Sequence, residues 1–283
     1  MLNFLPPNCT NCRNASTMQT ALFRIKEYLK FLARSKNVHR IHSPFIFHLL
    51  HNIILKRDVF TVELAALKKI AALHESNSTR ITPAGIGALN NPTTQTFGTI
   101  ARRTAQSQFW REALYKIAAD LKPDVILELG TGSGITALYL AEGSKKSLIT
   151  IEGDTVIFNM AKALLADQNP QITCINGMFD DVLPDLLSDL SGKILAYVDG
   201  NHTYDATKRY FEMLKPILNE EAIVILDDIY WSPDMLKAWN EIKQDAFVQQ
   251  SIDFYRLGML FFRKHQAREH FTLRTSTFGL PTR

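Results

Sequence analysis

Four acidic residues recur where apolar runs end: Glu128 after Val125-Ile126-Leu127, Glu152 after Leu148-Ile149-Thr150-Ile151, Asp199 after Val198, and Asp227 after Leu226. Carboxylates in such places can accept hydrogen bonds from ligand hydroxyls, hold a hard cation or move a proton. Asp228 beside Asp227 adds negative charge. His202, three residues beyond Asp199, adds an imidazole of the kind that can accept a proton near neutral pH. Acid-base chemistry and ligand capture are both open to this set.

A glycine-rich turn follows the first acid: Glu128-Leu129-Gly130-Thr131-Gly132-Ser133-Gly134-Ile135-Thr136. Gly130 and Gly132 let backbone approach a ligand closely, and the helix that follows presents unpaired N–H groups at its positive end. A dinucleotide fingerprint needs G-x-G-x-x-G. Counted from Gly130, its last position falls on Ile135, so the pyrophosphate reading is weakened. Glu152 ends the next apolar run, about 20 residues on, where such folds place a ribose-binding acid. Two acids with no nearby base suit an adenosine that carries no phosphate.

On these residues the chain resembles the class I S-adenosylmethionine-dependent methyltransferases, whose first motif is an acid followed by G-x-G-x-G and whose second is an acid ending the next strand. The likeness runs from about Gln108 to Lys264. Val198-Asp199 and Leu226-Asp227-Asp228 bring it nearest to small-molecule O-methyltransferases of the catechol O-methyltransferase type. The resemblance implies that Glu128 and Gly130, with Gly132, lie near the methionine moiety, that Thr136 binds its carboxylate and that Glu152 binds the ribose. It places Gly177-Met178-Phe179-Asp180 at the adenine, although Met178 and Phe179 could equally be core residues. Asp199, Asp227 and Asp228 are the implied Mg²⁺ ligands, with Asp199 also bordering the methyl donor. Two departures stand out: Asp228 replaces the usual Asn, and His202 replaces a lysine. His202 with Asp199 is the expected catalytic pair, His202 accepting the proton of an acceptor hydroxyl. Tyr204, Tyr230 and Trp231 could wall that acceptor, or could simply pack.

These residues need a scaffold, and the chain offers one. From residue 125 onward apolar strands and amphipathic helices alternate, which implies a parallel sheet covered by helices on both faces. Residues 249–254 and 257–262 are joined too tightly for a crossover and should pair antiparallel. The expected fold is therefore α/β, a doubly wound, mostly parallel seven-stranded sheet with an antiparallel last strand, preceded by a helical region. The segments expected are a disordered leader at 1–17, helices at 18–76, a linker or lid at 77–106, the cofactor-binding domain at 107–264 and a tail at 265–283.

The 283 residues, 46% of them hydrophobic and 21% charged, suit a globular chain with a substantial core. No apolar run reaches the roughly 20 residues that span a bilayer, and the start lacks the pattern of a secretory signal. Cytoplasmic residence is the default. A net charge of +4 is too mild to name a nucleic-acid partner. Lys26, Lys30 and Arg34 lie opposite Leu22, Ile25, Leu29 and Leu32, and read as the solvated side of an amphipathic helix. Cys9 and Cys12 have zinc-like spacing without completing a site, and His39, His42, His48 and His51 lack a companion ligand.

Taken together, the expectation is methyl transfer to a small-molecule hydroxyl, with S-adenosylmethionine and Mg²⁺ as cofactors. A homodimer is compatible with it. A nucleic-acid methyltransferase is disfavoured because Asp199-Gly-Asn-His stands where such enzymes carry Asn or Asp, then Pro-Pro and an aromatic. A nicotinamide oxidoreductase is disfavoured by Ile135 and the terminal hairpin. A non-catalytic cofactor-binding module stays open.

Overall fold

The computed structural model describes residues 10–36, 41–56, 61–85, 93–169 and 171–275, with side chains from residue 19 onward. Cys9, Cys12 and His39 fall outside the described side chains. The accessory region comprises α1 (Thr10–Arg34), α2 (Pro44–His48), which runs into a π-helical turn at Leu49–Ile54, and α3 (Val62–Ser76). β1 (Arg80–Ile81) and β2 (Gln95–Thr96) pair antiparallel, and α4 (Phe97–Thr104) and α5 (Gln108–Leu121) follow. Side-chain caps mark the starts: the Thr61 hydroxyl accepts the Leu64 N–H, and Thr96 accepts that of Thr99.

The alternation then begins. It runs β3 (Val125–Leu129), α6 (Ile135–Ser144), β4 (Ser147–Glu152), α7 (Thr155–Ala166), β5 (Ile172–Asn176), α8 (Phe179–Ser188), β6 (Ile194–Val198) and α9 (Tyr204–Leu214). It continues with β7 (Ile223–Leu226), α10 (Pro233–Ile242), β8 (Gln250–Asp253), β9 (Gly258–Phe261) and β10 (Glu269–Thr272). Strands β3 to β10 form one sheet in the order β10-β8-β9-β7-β6-β3-β4-β5. The expected antiparallel pair is present, β9 running against both β7 and β8.

Alternate residues of each central strand feed two cores. Ile126, Tyr197 and Ile225 pack with α5 and α6 on one face, whereas Leu127, Leu129, Val224 and Leu226 pack with α8, α9 and α10 on the other. Burying a side chain of this size contributes about 1.5–3 kcal/mol. Coverage on both faces explains why the strands read as unbroken apolar runs rather than alternating ones.

The structure corrects the expectations in several particulars. The sheet has eight strands rather than seven, because β10 adds parallel to β8 from within the segment expected to be a tail. That strand gave no sequence signal: only Phe271 among Glu269, His270, Phe271 and Thr272 is buried. Helix α4 lies inside the expected linker, and α1 begins at Thr10, inside the expected leader. On α1 the basic residues Lys26, Lys30 and Arg34 are exposed as expected, but so are most of the apolar residues opposite them. Leu22, Ile25 and Leu29 are 58–61% exposed, while Glu27, Phe31 and Ser35 are buried. The helix docks through aromatic contacts instead, Tyr28 and Phe31 meeting Tyr255 at ring distances of 4.9 and 5.5 Å. No helix among the described residues is long and apolar enough to cross a membrane.

Candidate active site

The glycine turn is shaped by the crowding of strand ends. Gly130 has φ +105°, and a Cβ there would stand 2.0 Å from the carbonyl oxygen of Asp199. Only glycine permits β3 and β6 to end this close together. The N–H groups of Gly130 and Thr131 donate to the Ile151 carbonyl at 3.0 and 3.3 Å, fixing the turn to β4. Gly134, at φ +77°, precedes α6 and offers no capping side chain, so the opening N–H groups of α6 remain for a ligand.

Glu152 closes the turn from the next strand. Its Oε2 accepts the Gly132 N–H at 3.0 Å and its Oε1 the Asp154 N–H at 2.9 Å. Each oxygen keeps a second lone pair, enough to receive a vicinal diol. Burial raises the carboxyl's pKa, while those N–H groups pull it down.

A cavity of about 310 Å³ runs from this cradle along the carboxyl edge of the sheet. That volume is of the size that takes a small ligand. Gly130, Gly132, Thr136, Glu152, Met178 and Phe179 line it on one side, and Asp199, His202, Asp227, Asp228, Trp231 and Arg256 on the other. Ten of the residues singled out in the sequence as binding, catalytic or metal-holding are thus brought together. Glu128 and Asp180 are not among the lining residues. Glu128 is fully buried beneath the turn, where burial pushes its carboxyl up to about 8. Its Oε2 accepts the Thr150 hydroxyl at 2.6 Å, and Thr150 lies 2.6 Å from the Thr131 hydroxyl. The acid therefore reaches the turn only through two threonines. Asp180 turns outward to a bidentate pair with Arg209 at 2.5 and 2.7 Å, which lowers its pKa.

At the other end, His202 Nε2 lies 3.5 Å from Asp199 Oδ1. Burial first, and the charge of Asp228 second, push the Asp199 carboxyl up to about 8. Trp231 stands over this corner, its ring 6.1 Å from that of His202 and covered by the Arg24 guanidinium of α1 at 3.8 Å. Of the three aromatics expected to form a wall, Trp231 alone lines the cavity. The Tyr204 hydroxyl donates to Glu241 at 2.6 Å and that of Tyr230 to Asp253 at 2.8 Å.

The residues at the cradle fit an adenosylated methionine. Those at the acid cluster do not fit Mg²⁺, because the oxygens of Asp227 are already engaged and a guanidinium adjoins both Asp227 and Asp228. Asp227 Oδ2 accepts from the Gln106 amide and, at 3.2 Å, from the Tyr197 hydroxyl, while Oδ1 accepts the Asp228 N–H at 2.7 Å. Arg256 lies 3.6 Å from Asp227 Oδ1 and 3.5 Å from Asp228 Oδ1. Among the described residues no three acidic, histidine or cysteine side chains gather as a metal site.

Several residues that line the cavity or lie behind its wall carried no signal in the sequence. Arg256 sits in the β8–β9 hairpin, Gln106 and Arg103 in the segment expected to be a linker, and Thr131 and Thr150 inside motifs whose other members drew attention. A basic residue at the tip of a hairpin expected beside acidic strand ends was the one available clue.

Residues 127–229, from the glycine turn to just past Asp228, match the model of a family described as a methyltransferase domain. No curated protein sequence matches the chain. Among solved structures, the fold is shared with the methyltransferase PaMTH1 of Podospora anserina, bound to S-adenosylhomocysteine. That protein has 14% identity over 93% of this chain and 99% of its own, with a TM-score of 0.52. It is shared as well with the O-methyltransferase TomG of Streptomyces achromogenes, in complex with S-adenosylmethionine. There the identity is 18% over 77% of this chain and 94% of that one, with a TM-score of 0.51. At such identities the likeness is one of fold. Residues 127–229 thus carry the sequence signature of a methyltransferase domain, set in a fold shared with solved methyltransferases.

Proposed function

We propose that this methyltransferase acts on a hydroxyl of a small-molecule acceptor. The observation that carries the reading is the continuity of one cavity from the Gly130–Glu152 cradle to the pair His202–Asp199, whose atoms lie 3.5 Å apart. The O-methyltransferase TomG, with the same fold, supports it. When bound, S-adenosylmethionine would supply an electrophilic methyl group for transfer to the acceptor oxygen, with the thioether as leaving group. The chain's own residues do the rest. Glu152 and the cradle hold the adenosyl portion, while Thr136 and Arg103 line the side where a methionyl carboxylate would be received. The His202 imidazole takes the hydroxyl proton, with the Asp199 carboxyl adjoining the ring 3.5 Å from Nε2. Trp231 covers the corner and excludes water from an in-line displacement that depends chiefly on alignment. Mg²⁺ has no place in this scheme, since the lone pairs of Asp227 are engaged and a guanidinium adjoins the cluster.

The test is calorimetric titration with S-adenosylhomocysteine and with NAD, followed by transfer of labelled methyl to a panel of phenols, alcohols and carboxylates. Binding of the first ligand together with labelled ether products supports the proposal. Products formed only on nitrogen or carbon acceptors, or on nucleic acid, would refute it.

A further inference from the structure

The acidic edge of the cavity needs a counter-cation, and the fold provides one from an unexpected element. Because β9 runs antiparallel to β7, the turn from β8 to β9 lands at the carboxyl edge of the parallel strands. That turn is tight. The Phe254 N–H donates to the Leu257 carbonyl at 2.9 Å, and Tyr255 adopts φ +72°. The Arg256 carbonyl accepts the Ile229 N–H at 3.2 Å, which ties the tip to the loop after β7.

The guanidinium is fixed as firmly as its backbone. Its Nε donates to Gln106 Oε1 at 3.0 Å, and the fully buried Gln106 gives its own amide N–H groups to Asp227 and to the Tyr197 hydroxyl. Gln106 thereby holds the cation and its principal anion in one register. Both Asp227 and Asp228 lie within 3.6 Å of the same guanidinium. Mg²⁺ requires oxygen ligands in near-octahedral array at about 2.0–2.1 Å, and usually keeps several waters. A fixed guanidinium against the same carboxylates leaves no such array and repels a dication.

We propose that Arg256 is the resident cation of the acceptor end: it stands where a divalent ion would have to sit, and its N–H groups receive the acceptor oxygen as the proton leaves. The acceptor role rests on hydroxyl methylation as proposed above, whereas the exclusion of metal does not. A guanidinium also sets specificity. It presents several donors in a plane, so an acceptor whose reacting oxygen is flanked by a second oxygen, as in a vicinal diol or a hydroxy acid, can be held in bidentate fashion.

The experiment uses the full chain and Mn²⁺ alone as probe, followed by electron paramagnetic resonance, with S-adenosylhomocysteine titrated calorimetrically in the same samples. The wild-type protein and Arg256→Lys are expected to leave Mn²⁺ free. Arg256→Ala uncovers the carboxylates and is expected to bind the ion roughly tenfold more tightly or better, and Asp228→Ala in that background to abolish the gain. Should Arg256→Ala fail to fold, Arg256→Gln removes the charge while keeping a hydrogen-bonding group. Mn²⁺ uptake by the wild type that Asp228→Ala removes would overturn the proposal. So would neutral variants that ignore Mn²⁺, because the guanidinium would then not be what excludes it. Failure of S-adenosylhomocysteine to bind the wild type counts instead against the methyltransferase reading, and leaves the metal result standing.

Discussion

Glu152 accepts the backbone N–H of Gly132 at 3.0 Å, so the acid that ends β4 is also the brace of the glycine turn that follows β3. Replacing it with alanine should act twice, removing ligand contacts and freeing the turn. Loss of a charged, hydrogen-bonding group of this kind costs about 2 kcal/mol, or roughly 30-fold in affinity. Calorimetric titration of Glu152→Ala with S-adenosylhomocysteine measures it, and an unchanged Kd would remove Glu152 from the site.

Gly130→Ala should damage the fold as well as binding. The added methyl would press on the Asp199 carbonyl at a φ that L side chains rarely adopt. A loss of about 3 kcal/mol or more is expected, lowering Tm by roughly 5–10 °C. A thermal melt by circular dichroism decides, and a variant as stable as the wild type would mean that β3 and β6 end farther apart.

Glu128 governs a pH dependence. Burial raises its folded pKa from an ordinary 4.5 to about 8, so the folded state holds a proton that the unfolded chain has already lost. The neutral form's stability is fully present below about 4.5 and is lost as pH rises through about 8. Glu128→Gln keeps an acceptor for the Thr150 hydroxyl without the titration. Its Tm should therefore gain on the wild type between pH 5 and pH 8 and then hold a constant lead. Parallel curves across that range would contradict the assignment.

Arg24 joins the accessory helix to the catalytic corner. Its guanidinium lies 3.8 Å from the Trp231 ring centre, and its Nε donates to the Trp231 carbonyl at 3.0 Å. Together such contacts contribute about 1–2 kcal/mol. In Arg24→Ala, amide hydrogen exchange over 19–36 should quicken several-fold while S-adenosylhomocysteine affinity stays within about twofold. Equal exchange in the two proteins would show that α1 is held by its Tyr28 and Phe31 contacts alone.

How much of this could be read in advance differs by element. Strands β3, β6, β7 and β9 were legible because each is buried on both faces, leaving apolar runs bounded by acids and glycines. The glycine-turn side of the cavity was legible because Gly130 and Gly132 meet a backbone requirement that few other residues satisfy, and because Glu152 ends β4 beside them. β10 was silent, with only Phe271 buried, and α1 misled because its leucines point outward while aromatic contacts dock it.

The sequence by itself determined a doubly wound sheet and the glycine cradle at the end of β3, since both depend on local periodicity and on glycine stereochemistry. Only the tertiary structure decided what lies across from that cradle. Asp227 and Asp228 look like metal ligands as letters, yet Gln106 and Arg256, 121 and 28 residues away from Asp227 and Asp228, approach their oxygens first. A carboxylate's role is set by which donors reach its lone pairs, and that is a property of three-dimensional approach that no spacing along the chain encodes.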